Sequence, residues 1–233
     1  GLTRIEFVNN GEHDHSLRLI KLEDGKTIED VMVIFQTFET DPQMPDCLGW
    51  YGGVNAKPGQ SNAYTKDLAP GLYTIFSFGE DGEGVPDLAK GMTTELEVTE
   101  AVASGAEPPE ADMRTELVDF SYVMEGTPVA GPTIVEVTNS GMEPHEVAML
   151  KLDDGISTKD AMQFLMAGEE AGGPPPFMFF GGMAPMNSGL TAWYEIDFEE
   201  GDYGFICFLP SPASGGAPHF MLGMTAQVSV PGS

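Results

Sequence analysis

Residues 135–162 read V-E-V-T-N-S-G-M-E-P-H-E-V-A-M-L-K-L-D-D-G-I-S-T-K-D-A-M, and residues 5–32 read I-E-F-V-N-N-G-E-H-D-H-S-L-R-L-I-K-L-E-D-G-K-T-I-E-D-V-M. At a shift of 130, ten of these 28 positions are identical, among them Asn9/Asn139, Gly11/Gly141, His15/His145, Lys21/Lys151, Gly25/Gly155 and Asp30/Asp160. The same shift lays G-L-Y-T-I-F-S-F (71–78) on G-D-Y-G-F-I-C-F (201–208). With small gaps, Gly52-Gly53 meets Gly181-Gly182, and Pro86…Gly91-Met92 meets Pro218…Gly223-Met224. Matches that keep their order over a whole half of the chain mark an internal duplication. The expected organisation is a first domain over 1–99, a linker over 100–115 and a second domain over 116–233. The A-V-A-S-G-A-E-P-P-E-A stretch (101–111) is small, acidic and proline-bearing, as linkers are.

Outward from the repeat, the periodicity is that of short strands. Thr133–Thr138, Glu146–Leu152, Leu190–Phe198, Tyr203–Phe208 and Thr225–Val230 alternate apolar with polar residues, and so does Leu117–Met124, read as one strand. One segment per repeat has helical spacing behind a capping hydroxyl, starting at Thr27 and at Thr158. With Gly 29 and Pro 18 to make turns, the expected fold is all-β: two tandem Greek-key β-sandwiches, each with one short helix. The Leu117–Met124 strand has no counterpart ahead of Gly1. The first domain is therefore expected to lack its first strand and to leave a sheet edge unpaired, to be covered by residues missing upstream, by the linker around 99–115 or by a partner chain.

Charge restricts the partners. The net charge is −27 over 233 residues. A surface this negative repels phosphate backbones and anionic lipid, so nucleic acid is excluded as a partner. It suits a protein working in high salt or a soluble acidic secreted one. No apolar run is long enough to span a membrane. No basic and apolar leader follows Gly1, so a targeting segment has been removed or the sequence starts downstream of the true start. Two cysteines, Cys47 and Cys207, are compatible with one bridge or with a ligand role.

Chemistry-bearing residues cluster in the second repeat. His145 opens a strand behind N-S-G-M-E-P. Cys207, His219 and Met224 follow late in the chain, the last two as H-F-M-L-G-M. An early His and then Cys, His and Met is the ligand order of a mononuclear blue-copper site. Such a site wants two imidazoles and a thiolate in a plane with a weak axial thioether. The first repeat keeps His15 and Met92 but has Ser77 and Asp87 at the other two positions, so no such site is expected there. GxSxG, HExxH and CxxC are absent, and four His cannot also supply a three-His catalytic copper. The chain is accordingly expected not to be an enzyme.

On these residues the sequence resembles the cupredoxin superfamily in tandem form. Pro144-His145 and the H-x3-G-M ending are similar to the plastocyanin and copper nitrite reductase type. The resemblance implies one type 1 copper, held by His145, Cys207, His219 and Met224. It also implies electron transfer in the periplasm or outside the cell, and a redox protein or a membrane electron-transfer complex as partner. The departure is the spacing, because eleven residues separate Cys207 from His219. Lengthening a loop is cheap in entropy, about 0.6 kcal/mol per doubling. The other reading is a metal-free cupredoxin-like subunit docked on the outer face of a larger electron-transfer or membrane assembly.

Overall fold

Alternation of buried and outward residues builds the strands. In the 131–139 segment Thr133, Val135, Val137 and Asn139 point inward and are buried, with half-exposed residues between them. The computed structural model describes residues 1–23, 25–37, 48–100 and 105–232. The first repeat contains β1 (Leu2–Val8), β2 (His15–Leu22), helix α1 (Ile28–Thr37), β3 (Leu48–Ala56), β4 (Ser61–Asp67), β5 (Gly71–Phe76) and β6 (Thr93–Val98). The second begins with β7 (Met113–Val118) and β8 (Ser121–Glu125). It continues through β9 (Gly131–Asn139), β10 (His145–Leu152), helix α2 (Thr158–Ala167), β11 (Phe177–Met186), β12 (Thr191–Phe198) and β13 (Gly201–Ile206). The short β14 (Pro210–Ser211) and β15 (Ala217–Pro218) precede the last strand, β16 (Thr225–Val230).

The fold is an all-β, cupredoxin-like sandwich, and its two repeats share their sheets. One sheet runs β1-β4-β12-β9-β7-β8, the other β16-β13-β10-β11-β3-β2-β5-β6. Equivalent strands meet at the join. β4 pairs antiparallel with β12, Tyr64 facing Tyr194, and β3 meets β11 at Tyr51 and Met186. Since 194 is 64 shifted by 130, an approximate two-fold axis passes between these tyrosines. One apolar core crosses the join, with Leu17, Tyr64 and Tyr73 from one repeat and Met149, Tyr194 and Phe205 from the other. Each helix covers its own patch of the eight-stranded sheet: Val31 packs with Ile20 and Trp50, and Ala161 with Leu150 and Ile206. The cap of α2 is Ser157, in a reciprocal capping box with Asp160, rather than Thr158.

Residues 117–124 are not one strand. The chain reverses at Asp119-Phe120, so that β7 and β8 form an antiparallel hairpin, and β7 lies parallel to β9. β7 starts at Met113, inside the expected 100–115 linker, because Met113, Thr115 and Leu117 alternate inward and are buried. The hairpin shields β9. In the first repeat β1 is the end of the sheet and pairs only with β4 among the described strands. There Thr3 is exposed and Ile5 and Phe7 are only part-buried, where Thr133, Val135 and Val137 are buried. Cys47 lies outside the described residues.

Candidate metal centre

The loop that delivers His145 is tied down by Asn139. Its Oδ1 accepts from the Gly141 amide at 3.0 Å, and its Nδ2 donates to the carbonyls of Glu143 (2.9 Å) and Met186 (2.7 Å). Asn9 makes the same three bonds in the first repeat, to Gly11, His13 and Ala56. The identity Asn9/Asn139 is therefore a local tie that sets where the following His begins its strand.

Cys207 follows β13. The next amide, Phe208 N–H, donates to Glu146 Oε1 at 3.0 Å, as Phe78 N–H donates to Ser16 Oγ at 2.6 Å. The long spacing to His219 is absorbed by a small hairpin. Pro210 pairs with Pro218 and Ser211 with Ala217, and the surplus residues turn over between them. At the base of the hairpin His219 N–H donates to Leu209 O (2.8 Å) and Phe220 N–H to Cys207 O (2.9 Å). Met224 is fully buried in the same apolar cluster as Cys207. Its amide donates to His219 O at 3.0 Å, and its carbonyl accepts from Cys207 N–H at 3.3 Å.

Three donor side chains converge. His145 Nδ1 lies 3.0 Å from His219 Nδ1, and Cys207 Sγ lies 3.3 Å from the latter. Among the described residues this is the one group of three or more such donors, its ligand atoms within 4.8 Å of each other and all three residues fully buried. The outer nitrogens are held by carboxylates: His145 Nε2 is 2.8 Å from Asp119 Oδ1, and His219 Nε2 is 2.9 Å from Glu143 Oε2. A carboxylate accepts, so each Nε2 carries the proton. Burial pushes both imidazoles below their ordinary range, which leaves them neutral at pH 7. Two bare Nδ1 lone pairs then face one another beside a sulfur, an arrangement a cation resolves. Burial, reinforced by Glu146, pushes the Cys207 thiol up, so a thiolate there requires positive charge next to it. Two imidazoles, one thiolate and an adjacent thioether residue make the donor set that suits copper.

Asp119 and Glu143 escaped the sequence reading. Asp119 sits at the turn where one continuous strand was expected. Its carboxyl is pulled up by burial, but the Met142 amide, His145 and the Glu143 amide outweigh this and leave it below the usual carboxylate range. Glu143 stood in the quoted His145 loop, but its counterpart is His13, so the repeat gave no signal for it.

The corresponding corner of the first repeat is closed by hydrogen bonds. Asp87 Oδ2 lies 2.7 Å from His15 Nδ1 and accepts from Ser77 Oγ at 2.6 Å, and Asp87 is fully buried. The carboxylate occupies the place that a second imidazole and an ion would need.

This fold and this His–Cys–His corner define a cupredoxin-like protein with a copper-type donor site. No family model and no curated protein matches the sequence. Among solved structures, auracyanin B matches at 16% identity over 55% of this chain and 93% of its own, with a TM-score of 0.35. A multicopper oxidase matches at 16% identity over 98% of this chain and 74% of its own, with a TM-score of 0.27. The copper nitrite reductase of Nitrosomonas europaea matches at 14% identity over 100% of this chain and 80% of its own, with a TM-score of 0.26. The expectation that the chain is not an enzyme does not stand: two of these three solved structures are copper enzymes, an oxidase and a reductase. No helix among the described residues is long and apolar enough to cross a membrane.

Proposed function

We propose that the second repeat binds one copper ion as a type 1 centre and that the protein relays single electrons through it. His145 Nδ1, His219 Nδ1, the Cys207 thiolate and Met224 would hold the ion. Residues 1–99 and 116–233 are read as two cupredoxin-like domains joined by 100–115, the first without copper ligands. In this reading, which the resemblance supports, the protein works in the periplasm or outside the cell and exchanges electrons with a redox protein or a membrane electron-transfer complex.

The observation that carries this reading is the pair of inward-facing Nδ1 atoms 3.0 Å apart, with Cys207 Sγ 3.3 Å from one of them. Copper bound there supplies a one-electron couple. The protein's part is to hold the ligands still and to keep water out. The loop ties at Asn139, the Leu209–His219 and Cys207–Phe220 backbone bonds and full burial of all four side chains do both.

Adding Cu(II) to the purified protein tests the reading. The expected result is intense visible absorption that saturates at one copper per chain and is lost in Cys207→Ser, while the far-UV circular dichroism is kept. A wild-type protein that stays colourless with Cu(II) overturns it in favour of the metal-free docking subunit.

A further inference from the structure

Resting on the copper reading, we propose that Asp119 and Glu143 are positioning residues: they preset both imidazoles for the ion and, as two anions beside it, lower its reduction potential. Each carboxylate reaches the outer nitrogen of one ring, Asp119 that of His145 at 2.8 Å and Glu143 that of His219 at 2.9 Å. Each is itself anchored. The two oxygens of Asp119 accept from the Met142 amide at 3.0 Å, and Glu143 Oε1 accepts from the buried Ser211 hydroxyl at 3.0 Å.

The two carboxylates and their anchors come from three separate pieces of chain: the β7–β8 turn, the His145 loop and the small hairpin between Cys207 and His219. In the first repeat the loop equivalent to that of His145 has His13 where Glu143 stands. Space is reserved as well. A β-carbon on Gly141 would stand 2.5 Å from Asp119 Oδ1 and 2.6 Å from His145 Nε2. These features fix the tautomer in advance, with protons on Nε2 and bare Nδ1 atoms turned to the centre, as outer-sphere carboxylates do for ligating imidazoles. They also place two carboxylates one ring away from the ion, Glu143 part-buried and Asp119 more open to solvent, where its charge is better screened. Both charges favour Cu(II) over Cu(I).

Nitrogen-15 NMR of the metal-free protein reads the positioning without any metal. Both His145 and His219 should show a protonated Nε2 and a bare Nδ1, and Asp119→Ala or Glu143→Ala should release its own ring into a tautomer mixture. Nδ1–H on either wild-type ring overturns the assignment whatever the metal chemistry proves to be. Voltammetry of the copper-loaded isosteric variants reads the charge. Asp119→Asn and Glu143→Gln should each shift the Cu(II)/Cu(I) preference about tenfold toward Cu(I), a rise of about 59 mV for a one-electron couple. Glu97→Gln, an exposed change on β6, should leave the potential where it was. An unmoved potential in both isosteric variants overturns the electrostatic role. A protein with the expected tautomers that takes up no copper would instead remove the copper reading and leave the positioning role in place.

Discussion

Tyr64 and Tyr194, 130 residues apart in the chain, face each other across β4 and β12 and stack with ring centroids 5.4 Å apart and planes 8° from parallel. Each is the other's counterpart in the duplication, so the repeats hold each other through the same residue used twice. Both rings are almost fully buried. Truncating either to Ala should cost about 3–5 kcal/mol, as for other large buried aromatics. Because the rings touch, a double-mutant cycle in urea should show coupling of about 0.5–1.5 kcal/mol. Strictly additive losses would mean that the stack does not join the repeats.

Gly141 is required by volume. In Gly141→Ala the new methyl would fall on Asp119 and His145, and one of them must move. Copper affinity, measured by competition with a chelator, should fall about 10- to 100-fold while the fold is kept. Gly11→Ala makes the equivalent change beside His15, where closest contacts are 3.0–3.2 Å, and should leave affinity untouched. Equal effects of the two substitutions would show that the loss is general destabilisation.

Lys66 gives the join a pH signature. Its side chain is buried between the repeats, with Nζ donating to Thr191 O at 2.7 Å and standing 5.5 Å from the centre of the Tyr51 ring. Burial pulls its pKa down from 10.5 to about 8. The unfolded chain therefore binds more protons than the folded one between those values, and stability must rise with pH there. Chemical denaturation from pH 8 to 9.5 should show that rise in the wild type and a flatter profile in Lys66→Met. Identical slopes would place the ammonium in water.

Salt should stabilise the protein. With a net charge of −27, self-repulsion opposes compaction, and its range is about 10 Å at 0.1 M salt. The melting temperature of the metal-free protein should climb from low to molar NaCl. A flat or falling curve would separate the acidity from any adaptation to salt.

The duplication made most of the fold legible. Ten identities in 28 positions can be read without a structure, and the strand alternation and the order His145, Cys207, His219, Met224 follow from side-chain type alone. What stayed hidden was three-dimensional. Leu117–Met124 alternates well enough to pass for one strand, and nothing in its composition announces that the chain reverses at Asp119-Phe120. With that reversal went the partner of His145. The Cys207–His219 spacing stood out as a departure, because residue counting cannot see that Pro210 and Pro218 meet again and close off the surplus. The sharing of sheets was equally invisible, since pairing between β4 and β12 or β3 and β11 depends on which edges the repeats leave uncovered.

That sharing bears on what can be separated. A protease that cut at the exposed residues 105–108, between β6 and β7, would sever the chain between the halves and still leave them fastened, strand to strand, in both layers. Produced alone, the metal-bearing half would carry two raw edges, β11 and β12, of the kind that recruits stray strands and aggregates. The copy with Ser77 and Asp87 in that corner thus has a structural part of its own. It is the edge guard of its sibling, and that dependence is reason enough for the pair to be inherited as one piece.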